Sequence, residues 1–134
     1  MPYTICYVSR AAENLSEDEI KEIFEKTKQK NNLKAIYGIL LYGMNDFFQV
    51  LEGDKDVIED LYENIILKDT RHTNIFEVIR KETKSPVFSN YSSSFNIVKN
   101  TQELEQIKDY LKTIDPTNTT SNKLKRLIRP FMVQ

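Results

Sequence analysis

Two short apolar strings, Ile5-Cys6-Tyr7-Val8-Ser9-Arg10 and Phe47-Phe48-Gln49-Val50-Leu51-Glu52-Gly53, each carry a hydrogen-bonding side chain in the middle of a strand pattern. In the first, Ile5, Tyr7 and Ser9 alternate with Thr4, Cys6 and Val8; in the second, Phe47, Gln49 and Leu51 fall on one face. A period of two is the signature of a half-buried strand, so Tyr7 and Gln49 are expected to point inward. A buried phenol or carboxamide left without a partner costs roughly 1–3 kcal/mol. These two must therefore meet each other, the backbone, water or a ligand, and any fold for this chain has to provide for them.

The rest of the chain restricts the fold further. Its 134 residues fit one compact domain with a small appendage. The net charge of −1 argues against bulk polyanion or nucleic-acid binding. Cys6 is the single cysteine and His72 the single histidine, so no disulfide and no His/Cys metal cluster can form within the chain. Only Gly38, Gly43 and Gly53 are glycines, which excludes a Gly-rich phosphate loop of the Walker or dinucleotide type. Met1-Pro2-Tyr3 leads straight into strand pattern rather than a signal peptide, and the mostly apolar stretch 35–44 is too short to span a bilayer. A cytoplasmic protein without a membrane span is the expectation.

Strand patterns are expected at about 3–9, 35–42, 46–52, 74–82 and 88–98, with a hairpin turn at Gly43-Met44-Asn45-Asp46. Ser16 with Glu19 three positions later forms a capping box that opens a first helix carrying Ile20, Ile23 and Phe24. The Asn31-Asn32 pair reads as its stop. Asp54 is a candidate N-cap for a second helix carrying Val57, Ile58, Leu61, Tyr62 and Ile65. The order strand-helix-strand-strand-helix-strand-strand predicts an α+β, ferredoxin-like βαββαββ sheet with two helices on one face. Helical spacing of Leu104, Ile107, Leu111 and Ile114, and of Leu124, Leu127, Ile128 and Phe131, predicts C-terminal helices that cover the sheet or a partner copy. The expected division is 1–98 as the main domain and 99–134 as a helical extension for capping, oligomerisation or output.

These elements, in this order and at these spacings, resemble the BLUF domains, blue-light sensors that use flavin. The resemblance covers about residues 2–98 and rests on the ICYVSRA start, the Asn pair closing the first helix, the AIYGILLY strand, FFQVLEG and the DTRH turn after the second helix. It implies an oxidised flavin, FAD or FMN, held between the two helices against the sheet. It implies that Tyr7 is the photochemical tyrosine and that Gln49 lies between it and the flavin. Asn31 and Asn32 would bind the polar edge of the ring, and Asp69, Arg71 and His72 would sit near the ring edge and ribityl side. The apolar end of the ring would lie in a slot formed by residues such as Ile20, Ile23, Phe24 and Ile65 or Ile66.

The resemblance implies a photocycle rather than turnover: Tyr7 gives up an electron and a proton, Gln49 rearranges, and the absorption shifts to the red until the dark state returns. It also implies a photoreceptor without a fused catalytic domain, forming a homo-oligomer (a dimer or larger ring) and signalling to a downstream protein partner that the sequence does not identify. The last strand departs from the family's frequent Trp-Ser-Met, reading Tyr91-Ser92-Ser93 at the positions that relay the rearrangement. Ala35-Ile36-Tyr37-Gly38 replaces a common Gly-Ile-Thr-Gly. A BLUF-derived interaction module with weak or lost photochemistry is therefore the alternative reading. A third reading, a small ferredoxin-like enzyme such as a phosphatase, finds in this chain neither an anion-binding Gly loop nor a convincing nucleophile–base pair.

Overall fold

In a computed structural model, which describes residues 2–91 and 95–131, the chain forms a five-stranded sheet between two helical layers. The elements run β1 (Pro2–Ala11), α1 (Glu17–Leu33), β2 (Tyr37–Gly43), β3 (Asp46–Asp54), α2 (Lys55–Leu61) continued by one π turn (Tyr62–Ile66), β4 (His72–Glu82), β5 (Phe95–Val98), α3 (Thr101–Lys112) and α4 (Thr119–Ile128). The strand order is β4-β1-β3-β2-β5, antiparallel throughout except for the parallel β2–β5 pair. This is the α+β ferredoxin-like arrangement with its extra strand at one edge.

Residue parity along the strands divides the core in two. Tyr3, Ile5, Tyr7, Phe47 and Leu51 face α1 and α2, together with Ile23, Ile58 and Leu61. Cys6, Phe48 and Val50 face the opposite way and pack with Leu104, Ile107, Leu111, Leu124 and Ile128 of α3 and α4. β1, β2 and β3 are thus buried on both faces, not half-buried as the alternation suggested, while the edge strand β4 is largely exposed. The C-terminal helices supply the second cover, and each buried aliphatic side chain there contributes roughly 1.5–3 kcal/mol. Gln49 belongs to the first face and Glu52 to the second, because three residues along a strand reverse the direction of the side chain.

The local signals act where expected. Ser16 and Glu19 form the reciprocal capping box of α1, and Asp54 caps α2 through the N–H groups of Asp56 and Val57. The Gly43–Asp46 hairpin turns through Met44 and Asn45, both with positive φ, which matches the twist of the flanking strands.

The stop of α1 is built differently from the expectation. The helix runs through the Asn pair to Leu33, and the carbonyls of Asn31 and Asn32 accept from Ile36 and Ala35. That is a Schellman closure, with Ala35 in the left-handed position usually given to glycine. β2 consequently starts at Tyr37 and not at 35. Gly38, two residues later, has φ +140°, and a Cβ there would run into the carbonyl of Val50.

Two other elements are shorter than the pattern suggested. The expected 88–98 strand is paired only over Phe95–Val98 among the described residues, because the N–H groups of Val87 and Phe88 are taken by the Glu52 carboxylate rather than by a neighbouring strand. The last helix ends at Ile128, and Phe131 lies beyond it against Phe48.

An alanine in the left-handed region carries strain of about 1–2 kcal/mol that glycine does not, partly offset by the entropy glycine adds to the unfolded chain. Ala35→Gly should therefore raise unfolding stability by roughly 0.5–1 kcal/mol in a urea titration. A loss of stability would show that the Ala35 side chain makes a compensating contact.

Candidate functional site

Tyr7 stands on β1 and Gln49 opposite it on β3, as direct cross-strand partners. Both are almost wholly buried, at 3% and 4% exposure. Gln49 Nε2 donates to the Tyr7 hydroxyl at 2.5 Å. The sheet is irregular beside them: the β1–β4 register slips between Cys6 and Tyr7 and again between Val8 and Arg10. Bulges of this kind re-aim side chains and are frequent near functional sites. Burial pushes the Tyr7 phenol well above its ordinary value, and the hydrogen bond from Gln49 only partly opposes this.

The other end of Gln49 is not satisfied. Its Oε1 is buried without a hydrogen-bond partner, and so is Nδ2 of Asn31, whose residue is 2% exposed. Both residues line one cleft, open at its mouth, between α1 and the α2–π-turn segment. The floor is Tyr7, Leu40, Phe47 and Gln49; Ile23, Lys26, Thr27, Lys30, Asn31 and Lys34 form the α1 side; Leu61, Ile65 and Ile66 form the other. Ile65 lines the cleft and is 49% exposed, an uncovered apolar side chain. The cleft thus combines one buried unpaired donor and one buried unpaired acceptor with apolar surface from Ile23, Leu40, Leu61 and Ile65 and with charged side chains from α1 and the Asp69–Arg71 turn.

His72 closes the cleft from β4. Its Nε2 faces the Ile66 carbonyl at 2.8 Å and its Nδ1 faces the Ser9 hydroxyl at 2.7 Å. The carbonyl can only accept, so Nε2 carries the hydrogen; in the neutral ring Nδ1 then accepts from Ser9. The ring meets Tyr7 and Phe47 edge-on. His72 therefore ties β1 to the end of the π turn, in addition to lining the cleft. Arg71 and Asp69 form a two-pronged ion pair at the rim, with contacts of 2.6 and 3.0 Å. Burial raises the Asp69 carboxyl, but the Arg71 guanidinium and backbone N–H outweigh it and hold it below the usual carboxylate range.

The structure thus brings together Tyr7, Gln49, Asn31, Asp69, Arg71, His72, Ile23 and Ile65 around one space. It does not bring Asn32 there. That side chain is exposed and accepts from the Phe95 N–H at 2.9 Å, fixing the start of β5. Ile20 and Phe24 belong to the helix–sheet core and do not line the cleft. Tyr91 also lies outside it, packed on Tyr110 and Phe88 on the α3 side of the sheet. Ser93 falls outside the described residues. Sequence reading missed Lys26, Lys30 and Lys34, although their four-residue spacing marks a single helix face.

Comparison with known proteins gives this cleft its context. The family model BLUF, "Sensors of blue-light using FAD", matches residues 3–94. The photoactivated adenylate cyclase subunit beta of Euglena gracilis is 31% identical over 101 residues, covering 75% of this chain and 11% of its own length. The blue light- and temperature-regulated antirepressor BluF of Escherichia coli (strain K12) is 32% identical over 76 residues, covering 57% of this chain and 19% of its own. The chain therefore spans a small part of these relatives. Among solved structures, BlsA in its photo-activated state superposes with a TM-score of 0.70 at 26% identity, over 100% of this chain and 99% of BlsA. The BLUF structure of BlrP1 gives a TM-score of 0.75 at 26% identity, over 96% of this chain and 90% of that one.

Without a ligand the free amide of Asn31 costs about 1–3 kcal/mol. Asn31→Leu should leave the flavin-free protein as stable as the parent or more so, while lowering FAD uptake at least tenfold in a fluorescence titration. Unchanged uptake would mean that the Asn31 amide does not face the ligand.

Proposed function

The chain belongs to the BLUF family, the sensors of blue light using FAD, and from that premise we propose that Tyr7 and Gln49 carry its light response. The observation behind this reading is the single unpaired atom of Gln49: one end of the carboxamide is bonded to Tyr7, and the other is buried, unsatisfied and lines the cleft. The residues fit a flavin. Asn31 and Gln49 supply a donor and an acceptor for the polar edge of its ring, and Ile23, Leu61 and Ile65 offer apolar surface for the remainder. When bound, the flavin supplies a blue-absorbing chromophore and, once excited, a strong one-electron oxidant.

Tyr7 is suited to answer that oxidant because its phenol can release an electron and a proton together. A phenol is protonated at neutral pH at its ordinary value, and burial favours the neutral form further, so the proton is present when the electron leaves. Gln49 is suited to record the event. A carboxamide has a donor and an acceptor of nearly equal size, so a half-turn, or a change of tautomer, alters which group meets Tyr7 and which faces the cleft. After Tyr7 regains its electron and proton, Gln49 stays rearranged and presents a donor where Oε1 had been. Absorption shifts to the red as long as that donor faces the cleft.

The mouth of the cleft is cationic. Lys26, Lys30 and Lys34 line it from the α1 side, with Lys26 paired to Glu22 and Arg71 to Asp69. This favours a phosphate-bearing flavin, FAD or FMN, over riboflavin, and the family's description as sensors using FAD supports reading it as FAD. The signalling protein is read as cytoplasmic, oligomeric and acting on a separate protein partner; among the described residues, no helix is long and apolar enough to cross a membrane.

Tyr7→Phe should keep flavin and lose the stable light-induced red shift, and Gln49→Leu should lose it as well, because no carboxamide remains to rearrange. Dark and illuminated absorption spectra decide this. A normal shift in Tyr7→Phe would end the assignment, and bound flavin without a shift in the parent protein would leave a flavin-binding interaction module. Because burial holds the phenol protonated, the shift should keep its amplitude as pH is raised past 10.0, the ordinary tyrosine value. An amplitude that falls to half near that value would mean that the tyrosine is solvated. FAD and FMN should both bind several-fold more tightly than riboflavin, by a margin that shrinks in salt and in Lys30→Glu. Equal affinities would remove the lysines from the site.

A further inference from the structure

Glu52 is the one fully buried acidic side chain among the described residues, with 0% exposure. It takes no part in the cleft, since it points to the opposite face of the sheet from Gln49. A carboxylate in that place costs several kcal/mol in lost hydration unless donors surround it, and here three do. Oε2 accepts from the Thr4 hydroxyl at 3.0 Å and from the Val87 N–H at 2.8 Å; Oε1 accepts from the Phe88 N–H at 3.0 Å. Burial pushes the carboxyl above its ordinary value, and these three donors oppose the push.

The segment held in this way is bonded on its other side to α3. The Tyr110 hydroxyl donates to the Val87 carbonyl at 2.6 Å. The Tyr110 ring stacks on Phe88 at 5.8 Å and meets Tyr91 at 4.8 Å. Val87 is therefore gripped by its N–H from β3 and by its carbonyl from α3. The grip also stands in register with the site. Thr4 faces Glu52, and Tyr7 faces Gln49, in the same β1–β3 ladder. The two pairs are three rungs apart, about 10 Å along the strands, on opposite faces. A displacement at the second pair that shifts β1 against β3 changes the first.

We infer that Glu52 is a positioning residue that couples the Tyr7–Gln49 pair to the C-terminal helices by holding residues 86–91 between the β1–β3 ladder and Tyr110 of α3. The inference rests on the photoreceptor reading above. It assigns to Glu52 and Tyr110 a role that needs neither contact with flavin nor Ser93.

The test uses the full FAD-loaded chain, with absorption spectra and amide hydrogen exchange of Thr101–Lys112 measured in darkness and under blue light. The parent should show a red shift and a light-dependent change of exchange in α3. Tyr110→Phe removes one hydroxyl, and Glu52→Gln removes the charge and one of the two acceptor oxygens. Each should keep the full red shift while reducing the light-dependent exchange change at least threefold. A purely structural role would alter exchange equally in darkness and light, leave the difference intact, and so overturn the inference. A parent with a normal red shift and no light-dependent change in α3 would also overturn it. A parent that binds flavin without any red shift brings down the photoreceptor reading and the inference with it, and its spectrum alone identifies that case. If Glu52→Gln does not fold, Tyr110→Phe decides.

Discussion

The hydrogen bond between Tyr7 and Gln49 is the constraint that the rest of this structure accommodates. It joins the two central strands on the face covered by α1 and α2. It satisfies one end of a carboxamide and leaves the other bare in a low-dielectric interior, where an unpaired polar group is most costly. Gln49 points to the near face, so closure of the far face by α3 and α4 leaves that demand untouched, and the cleft between α1 and the π turn is the place where a partner can meet it. The far face answers its own buried polar group, Glu52, with donors from the protein.

The cleft also depends on where two helices stop. The Schellman closure of α1 uses the carbonyls of Asn31 and Asn32, so the pair's backbone is fixed by the stop itself. Its two side chains then diverge, Asn31 toward the cleft and Asn32 toward the Phe95 N–H. On the opposite wall, the helix widens into a π turn at Tyr62–Ile66, and π segments recur at functional sites. His72 anchors this turn through the Ile66 carbonyl while bonding to Ser9 on β1. The walls are therefore positioned by backbone irregularities, each of which has a specific hydrogen bond holding it.

Much of this was legible in the residues. Period-two alternation placed Tyr7 and Gln49 inward, capping signals located the starts of α1 and α2, and the ordered motifs identified the family and hence the ligand. Other features were not legible, for physical reasons. Alternation cannot report that both faces of a strand are buried when the second cover comes from helices fifty residues downstream, as for Phe48 and Val50 beneath Leu104 and Leu111. An Asn pair signals a helix stop without saying which amide turns inward. Most of all, Glu52 reads as an ordinary charged residue at the end of an apolar string. Its burial arises from backbone N–H groups 35 and 36 residues away, and backbone donors leave no trace in residue type.

The contrast between Glu52 and Gln49 separates two uses of a buried polar group. Glu52 has a donor for each demand, and its effect is mechanical, since it fixes neighbouring chain. Gln49 and Asn31 are each short of one partner and line an open cleft, and the role proposed for them is recognition. Lack of a partner is not sufficient by itself. The Ser121 hydroxyl is also buried and unpaired, yet it lies at the start of α4 and does not line the cleft. What distinguishes Gln49 is that the same planar group is bonded at one end to a residue that can lose an electron and a proton, and is free at the other. A change at Tyr7 can therefore alter what the cleft meets without any strand moving first. In the proposed photoresponse, movement of the strands, and of whatever they hold on the opposite face, is the consequence of that new hydrogen-bond pattern.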